Sequence, residues 1–452
     1  MANHFRRDAR AEGVANGSSS AGKPGARKAA IVIGLTLLAL ALLGIVLFVL
    51  WQRTNGESKE SGSKGEAKVE TVSPKTDDGN SSGEPAGNGL PFSLTGVSSN
   101  APVVKVKEGE TKASLADEWT FGGDYREIGS FPIDGSTVFG SFTDDPDNLL
   151  SYAPALIGTS GAKRLGSAPV AAGDGYFEPQ DGTGNSKQIV WRSARVNDSN
   201  AFGVDDWQIS RWSAKDDEAH VLASAESVNG RNDTPSIVGE VVPTANNDYA
   251  FFASNVLAGD SSWECDVLAM PVDGGDVRKL GEGSFPAAVS GGVLFATSRV
   301  SDGHYAKVCS ARNGSLTAAK TRLTVKSDSD QWGVTGVWAS DNYRAVSFSP
   351  ASASSQTYVG LWSGDFEKPV IWLVIPSGSV VASMNDRWFV WGSGSQGENA
   401  GMYAYRWSEG KTLYLGTAKG YSRPAISEDG DVVMVPETDG NDAARYQVGK
   451  HD

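Results

Sequence analysis

Hydrolytic and group-transfer chemistry is usually built from histidine, serine and cysteine, and this chain carries four histidines and two cysteines in 452 residues. His4 sits in a basic N-terminal stretch and His451 beside the C-terminus. That leaves His220 and His304, each isolated in sequence, and no Gly-x-Ser-x-Gly elbow accompanies them. Both read as ordinary surface or core histidines. Ser-x-x-Lys occurs at Ser160–Lys163 and Ser408–Lys411. The lactamase-like mechanism needs those two side chains on one helical face, and both hits fall in expected strand-connecting turns. Cys265 and Cys309 lack a second ligand two to five residues away, so a tetrahedral metal site is not expected. Asp144-Asp145-Pro146-Asp147-Asn148 gathers hard oxygen ligands as a calcium loop would, but without EF-hand spacing it reads as an acidic turn. The 54 Asp and Glu residues supply carboxylates for acid–base work, yet no spacing nominates a pair. No catalytic, cofactor-binding or metal-ligating residue is therefore assigned.

The elements that would position any site are better defined. Ala29–Trp51 (AAIVIGLTLLALALLGIVLFVLW) holds one polar residue, Thr36. As a helix it would span roughly 34 Å, enough for a bilayer core. Six basic residues (Arg6, Arg7, Arg10, Lys23, Arg27, Lys28) and two acidic ones (Asp8, Glu12) precede or lie within it. The positive-inside rule then expects residues 1–28 as a disordered cytosolic tail and the C-terminal bulk outside the cell. No small-x-small cleavage site follows the apolar run, so an uncleaved anchor is expected. Of the chain's 40 basic and 54 acidic residues, 34 and 52 come after Trp51. So acidic a region repels phosphate backbones, which excludes nucleic acid as a partner class, and its net charge argues against flat adsorption on anionic lipid.

Residues 52–114, rich in Ser, Gly, Glu, Lys, Asn and Pro, are expected as a disordered linker of roughly 40 Å reach. From residue 115 to 452 the texture changes to short apolar runs between Gly, Asp, Asn and Ser turns, such as Asp248–Ser254 (DYAFFAS) and Arg387–Trp391 (RWFVW). That pattern predicts antiparallel β structure. Three elements recur: a strand ending in Trp-Ser (Trp212, Trp362, Trp407), a strand ending in Leu/Ile-Gly, and an opening strand such as Phe285–Phe295. Units then begin near residues 130, 168, 234, 285, 334, 379 and 421, mostly of the length of a four-stranded propeller blade. The expectation is a seven-bladed β-propeller, six blades being the alternative. The last unit is short, so Tyr125–Gly129 is expected to pair into it and close the ring. The repeated tryptophans are expected to pack between blades rather than to stack on sugar. Trp119, Trp191, Trp207, Trp263, Trp332 and Trp338 fall outside that repeat and are candidates for a binding face.

Arg423–Val435 with Glu437–Val448 (RPAISEDGDVVMV, ETDGNDAARYQV) resembles the repeat of TolB-type propellers. Pro424, Ala425, Ser427, Asp429 and Gly430 match its Pro-Ala-x-Ser-x-Asp-Gly opening, and Pro286, Ala287 and Ser290 match in part. The resemblance implies a fold; that repeat serves in scaffolds and in peptidase gating domains, so it implies no activity. Taken together, the sequence predicts a single-pass membrane protein with an extracytoplasmic propeller that binds or scaffolds an envelope protein or glycan, without a cofactor. The alternative is a carbohydrate-active hydrolase or lyase using carboxylates in the central funnel. For the cysteines, one bridge or two thiols is open from sequence. Their offset by about four residues, once the following turns are aligned, argues for thiols.

Overall fold

The computed structural model describes residues 89–106, 126–145, 152–166, 175–197, 200–231, 242–258, 262–301, 303–327, 331–352, 356–376, 380–393, 401–417, 424–428, 430–437 and 445–450. Ala29–Trp51, the tail before it and the first part of the linker lie outside these residues. Among the described residues no helix is long and apolar enough to cross a membrane.

The described chain is almost entirely strand. Two short strands, β1 (Ser93–Thr95) and β2 (Val103–Lys105), precede a series of antiparallel meanders. The first meander is β3 (Glu127–Pro132), β4 (Thr137–Phe142), β5 (Ala153–Gly158) and β6 (Gly161–Arg164). The second is β7 (Gly175–Gly184), β8 (Gln188–Asn197), β9 (Asn200–Ser213) and β10 (Ala219–Ser224), followed by a single helical turn, α1 (Ala225–Asn229), capped by Ser224. Next come β11 (Thr244–Ala245), β12 (Tyr249–Ala258), β13 (Ser262–Pro271) and β14 (Arg278–Val289). Strand β14 serves twice. Its first half pairs with β13 and its second half with β15 (Gly292–Ser301), which leads into β16 (His304–Arg312) and β17 (Ser315–Lys326). Then follow β18 (Trp332–Ala339), β19 (Tyr343–Pro350), β20 (Thr357–Ser363) and β21 (Lys368–Ile375). The series ends with β22 (Val380–Met384), β23 (Trp388–Ser393), β24 (Gly401–Arg406) and β25 (Lys411–Thr417), and with the three-stranded β26 (Ala425–Ile426), β27 (Val432–Glu437) and β28 (Arg445–Lys450).

Successive side chains on a strand point to opposite faces, and in the inner strands both faces are buried against another meander. On β13, Val267 and Ala269 pack with Phe295 and Cys309 of the next meander, while Leu268 and Met270 pack with Trp207 and Ile209 of the previous one. On β21, Trp372 faces one core, and Ile371, Leu373 and Ile375 face another. Hence runs such as IWLVI are apolar throughout rather than alternating. The first strands touch in turn: β3 with β7, β7 with β11, β11 with β14, β14 with β18, β18 with β22, β22 with β26, and β26 with β3. The succession closes on itself around a common centre.

Closure differs from the sequence expectation. Glu127–Gly129 pair with Phe142–Gly140 inside the first meander, and among the described residues no strand of that meander pairs with β28. The ends meet by packing instead, β26 and β27 lying against β3.

The linker boundary also moves. Residues 89–106 form an ordered strap across two neighbouring meanders: β1 adds antiparallel to β17, and β2 adds parallel to β21. Phe92 is buried among Trp332, Phe348, Tyr358 and Trp372, and the Ser98 and Ser99 carbonyls accept the indole N–H groups of Trp362 and Trp372 at 2.9 Å each. Composition misled because the polar stretch before Gly89 dominates the segment, and the strap's two three-residue strands form by pairing with the edges of β17 and β21.

The expected role of the recurrent tryptophans is met. Trp212 and Trp362 are the last residue but one of the third strand of a meander, Trp407 directly follows such a strand, and all three are buried in cores shared with a neighbour. Trp407 stacks on Tyr343 of the preceding meander at 4.0 Å. Trp362 needs a glycine beneath it: a Cβ on Gly360 would meet the Trp362 ring and lie 2.8 Å from Trp372 Cη2. Gly360→Ala should therefore cost about 1–3 kcal/mol by overpacking, read as a lower urea midpoint at unchanged m-value.

Candidate binding face

In a four-stranded meander the first and third turns emerge at the same end. The first turns begin with a residue that can cap its own backbone: Asp134, Asn185, Asn246, Ser340 and Asn385. Asn246 Oδ1 accepts from the N–H groups of Asp248 and Tyr249, and Asn385 Oδ1 from those of Arg387 and Trp388. This is an Asx turn, which short amide side chains make readily. An aspartate would cap equally well, but the amide has a donor left over. Asn246 Nδ2 donates to the Val289 and Gly292 carbonyls, and Asn385 Nδ2 to those of Ser427 and Gly430. Each bond crosses to the next meander.

Other turns continue this belt. Gln188 donates to Asn246 O, Ser290 N–H to Asp341 and Asn342 to Asp386, while Arg387 and the Trp388 indole donate to Asp431. Asn185 reaches Glu428 at 2.6 Å, linking the second meander to the last. The carboxylates here act as acceptors that hold one turn against its neighbour. Outside the belt, the third turns add exposed acids at Asp216, Glu218, Asp273, Asp276 and Glu409. The result is a fixed, acid-rich, hydrogen-bonding surface suited to recognising basic or neutral groups. Sequence reading missed the belt residues, although a signal was present. Asn246-Asn-Asp-Tyr249, Ser340-Asp-Asn-Tyr343 and Asn385-Asp-Arg-Trp388 repeat one pattern before an apolar strand.

The residues weighed for chemistry are scattered. Ser160 and Ser408 sit in hairpin turns, with Lys163 and Lys411 on the strands that follow. Lys163 is paired with Asp217 at 2.6 Å. His220 is half-exposed on β10 beside Asp216 and Glu218, and His304 begins β16. Asp144 takes Arg164 at 2.8 Å, while Pro146, Asp147 and Asn148 lie outside the described residues. Among the described residues no three His, Cys, Asp or Glu side chains converge as metal ligands. Of the candidate stacking tryptophans, Trp191, Trp207 and Trp332 are buried and Trp338 is half-buried against a core. Trp119 lies outside the described residues, and the Trp263 side chain is not described.

Cys265 and Cys309 are both buried free thiols. Burial pushes the Cys265 thiol up from 9.0 to about 11 and the Tyr305 hydroxyl beside it from 10.0 to about 12. Neither is a nucleophile near neutrality. Because both folded values are raised, their stabilisation is complete below pH 9 and is lost as pH rises through 11 to 12. Denaturation midpoints measured from pH 8 to 11.5 should fall, and Cys265→Ala should remove roughly 2–3 kcal/mol of that pH dependence. Asp266 is buried with Lys279 at 2.6 Å, and Glu264 lies 3.6 Å from the same lysine. Burial outweighs the lysine and raises the Asp266 carboxyl. This carboxylate–lysine group lies on β13 and β14, the outer strands of their meander, away from the central first strands.

No family model and no curated protein matches the chain. Solved structures are similar at low identity. An oligogalacturonate lyase in complex with manganese is 11% identical with a TM-score of 0.47, over 80% of this chain and 97% of that one. An oligogalacturonate lyase from Vibrio parahaemolyticus is 10% identical with a TM-score of 0.45, over 80% and 97%. The β-propeller domain of the trilobed protease from Pyrococcus furiosus is 11% identical with a TM-score of 0.45, over 72% and 97%. The strand pairing and the closed succession of meanders define the chain as an all-β protein of propeller architecture.

Proposed function

We propose that the chain is a membrane-anchored, extracytoplasmic propeller of seven blades, of TolB-like type, that binds an envelope component through its acid-rich turn face. The reading rests on one observation above others: the first turns are tied blade to blade by their carboxylates and amides, a fixed belt beside which the third turns present exposed acids. Counting β14 in two meanders supports seven blades, the last one three-stranded. The anchor rests on Ala29–Trp51 and its basic flank. A tether raises the local concentration of such a face near partners of the envelope, which favours weak recognition.

The test is crosslinking and pull-down of the full chain from intact cells, followed by titration of the captured component against salt. Capture should weaken several-fold between low and physiological salt. The triple variant Glu218→Gln, Asp273→Asn, Asp276→Asn should weaken it further without changing the thermal midpoint. Salt-independent capture, or turnover of a glycan abolished by one carboxylate substitution near the centre of the ring, would hand the case to the hydrolase or lyase alternative.

A further inference from the structure

The acidic balance of the whole chain hides one unit of opposite sign. Gly283–Ser327, which spans the second half of β14 through β17, contains six basic residues (Arg299, Lys307, Arg312, Lys320, Arg322, Lys326) and one acidic residue (Asp302). In a protein of net charge −14 this unit carries +5. Its charge lies mostly on the two outer strands. Arg312, Lys320 and Lys326 are exposed and Lys307 is half-buried on β16 and β17. Arg322 is neutralised by Asp365, whereas Lys307, Arg312, Lys320 and Lys326 make no ion pair among the described residues. Thr317–Thr321 form an exposed stretch of β17, the edge strand of this unit.

The strap brings the N-terminal chain to this same edge. Ser93–Thr95 pair with Lys326–Thr324 of β17, so whatever precedes Gly89 reaches the propeller beside the basic unit. The strap itself, residues 89–106, carries a single charge, Lys105. We infer that the outer rim of β16 and β17 docks on the anionic lipid headgroups of the membrane from which the chain emerges, setting which side of the ring faces the bilayer. The inference rests on the proposed anchor at Ala29–Trp51.

Magnitudes decide whether the acidic remainder would oppose this. Charges further from a surface than the Debye length, about 8 Å at physiological salt, are largely screened. A four-stranded unit is already roughly 14 Å wide. With the rim of one unit at the headgroups, the acids of units across the ring lie beyond that range, while Arg312, Lys320 and Lys326 lie within it and Lys307, two strands in from β1, stands behind them. The net charge that argues against flat adsorption therefore does not govern edge-on docking.

The test uses the full chain in vesicles of phosphatidylcholine alone and of phosphatidylcholine with phosphatidylglycerol. A fluorophore is placed on Thr317→Cys at the rim or, as control, on Lys215→Cys, and nitroxide-bearing lipids act as quencher. Quenching at Thr317→Cys should be roughly twofold greater on the anionic vesicles, and should vanish in high salt. It should also vanish in a Lys307→Glu, Arg312→Glu, Lys320→Glu, Lys326→Glu variant whose thermal midpoint matches the parent. If that variant fails to fold, Lys320→Gln with Lys326→Gln should halve the difference. Equal quenching on both vesicles, or preferential quenching at Lys215→Cys, would overturn the inference. So would rim binding to a soluble anionic polymer with no dependence on lipid charge. Flotation with the neutral vesicles reports the anchor separately: a chain left behind there disproves the anchor whatever the rim label does.

Discussion

Phe92→Ala should lower folding stability by about 3–5 kcal/mol, the usual cost of deleting a buried aromatic. The ring lies 4.8 Å from Phe348 and 5.1 Å from Trp332, and its loss leaves a hole between two meanders. Removing the whole strap should cost more. Deleting residues 1–106 also strips the Trp362 and Trp372 indoles of their acceptors, Ser98 O and Ser99 O. Water reaches the uncovered indoles, so each lost hydrogen bond adds about 0.5–1.5 kcal/mol, on top of the apolar surface that the strap leaves bare. The total approaches the full stability of an ordinary domain, about 5–15 kcal/mol. The truncated chain should be insoluble or unfolded, and the Phe92→Ala chain should show its loss by urea titration followed through tryptophan fluorescence. A truncation at residue 107 that melts like the parent would show the strap to be ornamental. The result bears on the proposed anchor, because an ordered strap would give it a fixed point of attachment on the propeller.

Asn385→Asp should be nearly as damaging, although it changes one nitrogen to oxygen. Asn385 is buried and uses every polar atom of its side chain. Its Oδ1 caps the turn, and its Nδ2 donates to Ser427 O at 2.8 Å and to Gly430 O at 2.7 Å. An aspartate keeps the cap but sets a carboxylate oxygen against two carbonyls, with no donor for any of the three. Leaving two buried acceptors unpaired beside a buried charge should cost about 3–5 kcal/mol at neutral pH. The penalty should shrink as pH falls and the introduced carboxyl takes up a proton. Asn385→Leu, which lacks the charge, should be destabilised without that pH dependence. Hydrogen exchange should locate the loss in β26 and β27, the segment these bonds hold. Loss spread evenly over the ring would mean that the last meander is not held locally by this turn.

The sequence alone determined the class and much of the spacing, because those signals are local. Apolar runs, and Asp, Asn and Gly turns, placed unit starts at 285, 334, 379 and 421. The corresponding strands begin at Trp332, Val380 and Ala425, with the shared strand β14 changing partner at Gly283. Trp212, Trp362 and Trp407 could be placed between units because a repeated large aromatic at one strand position has little else to do. Closure was beyond the sequence: whether Glu127–Gly129 pair with β4 or with the last unit depends on where two distant ends meet. The strap was beyond it for a related reason, since strands of three residues form only when distant edges, here β17 and β21, are offered. The belt lay between the two. Its Asn turns are visible as a repeated pattern, but that Asn246 and Asn385 have a donor left to cross to the next unit is a matter of where the next unit stands. Charge behaved likewise: the total of −14 is a property of the composition, whereas a basic rim beside the entering strap exists only because folding sets β1 against β17.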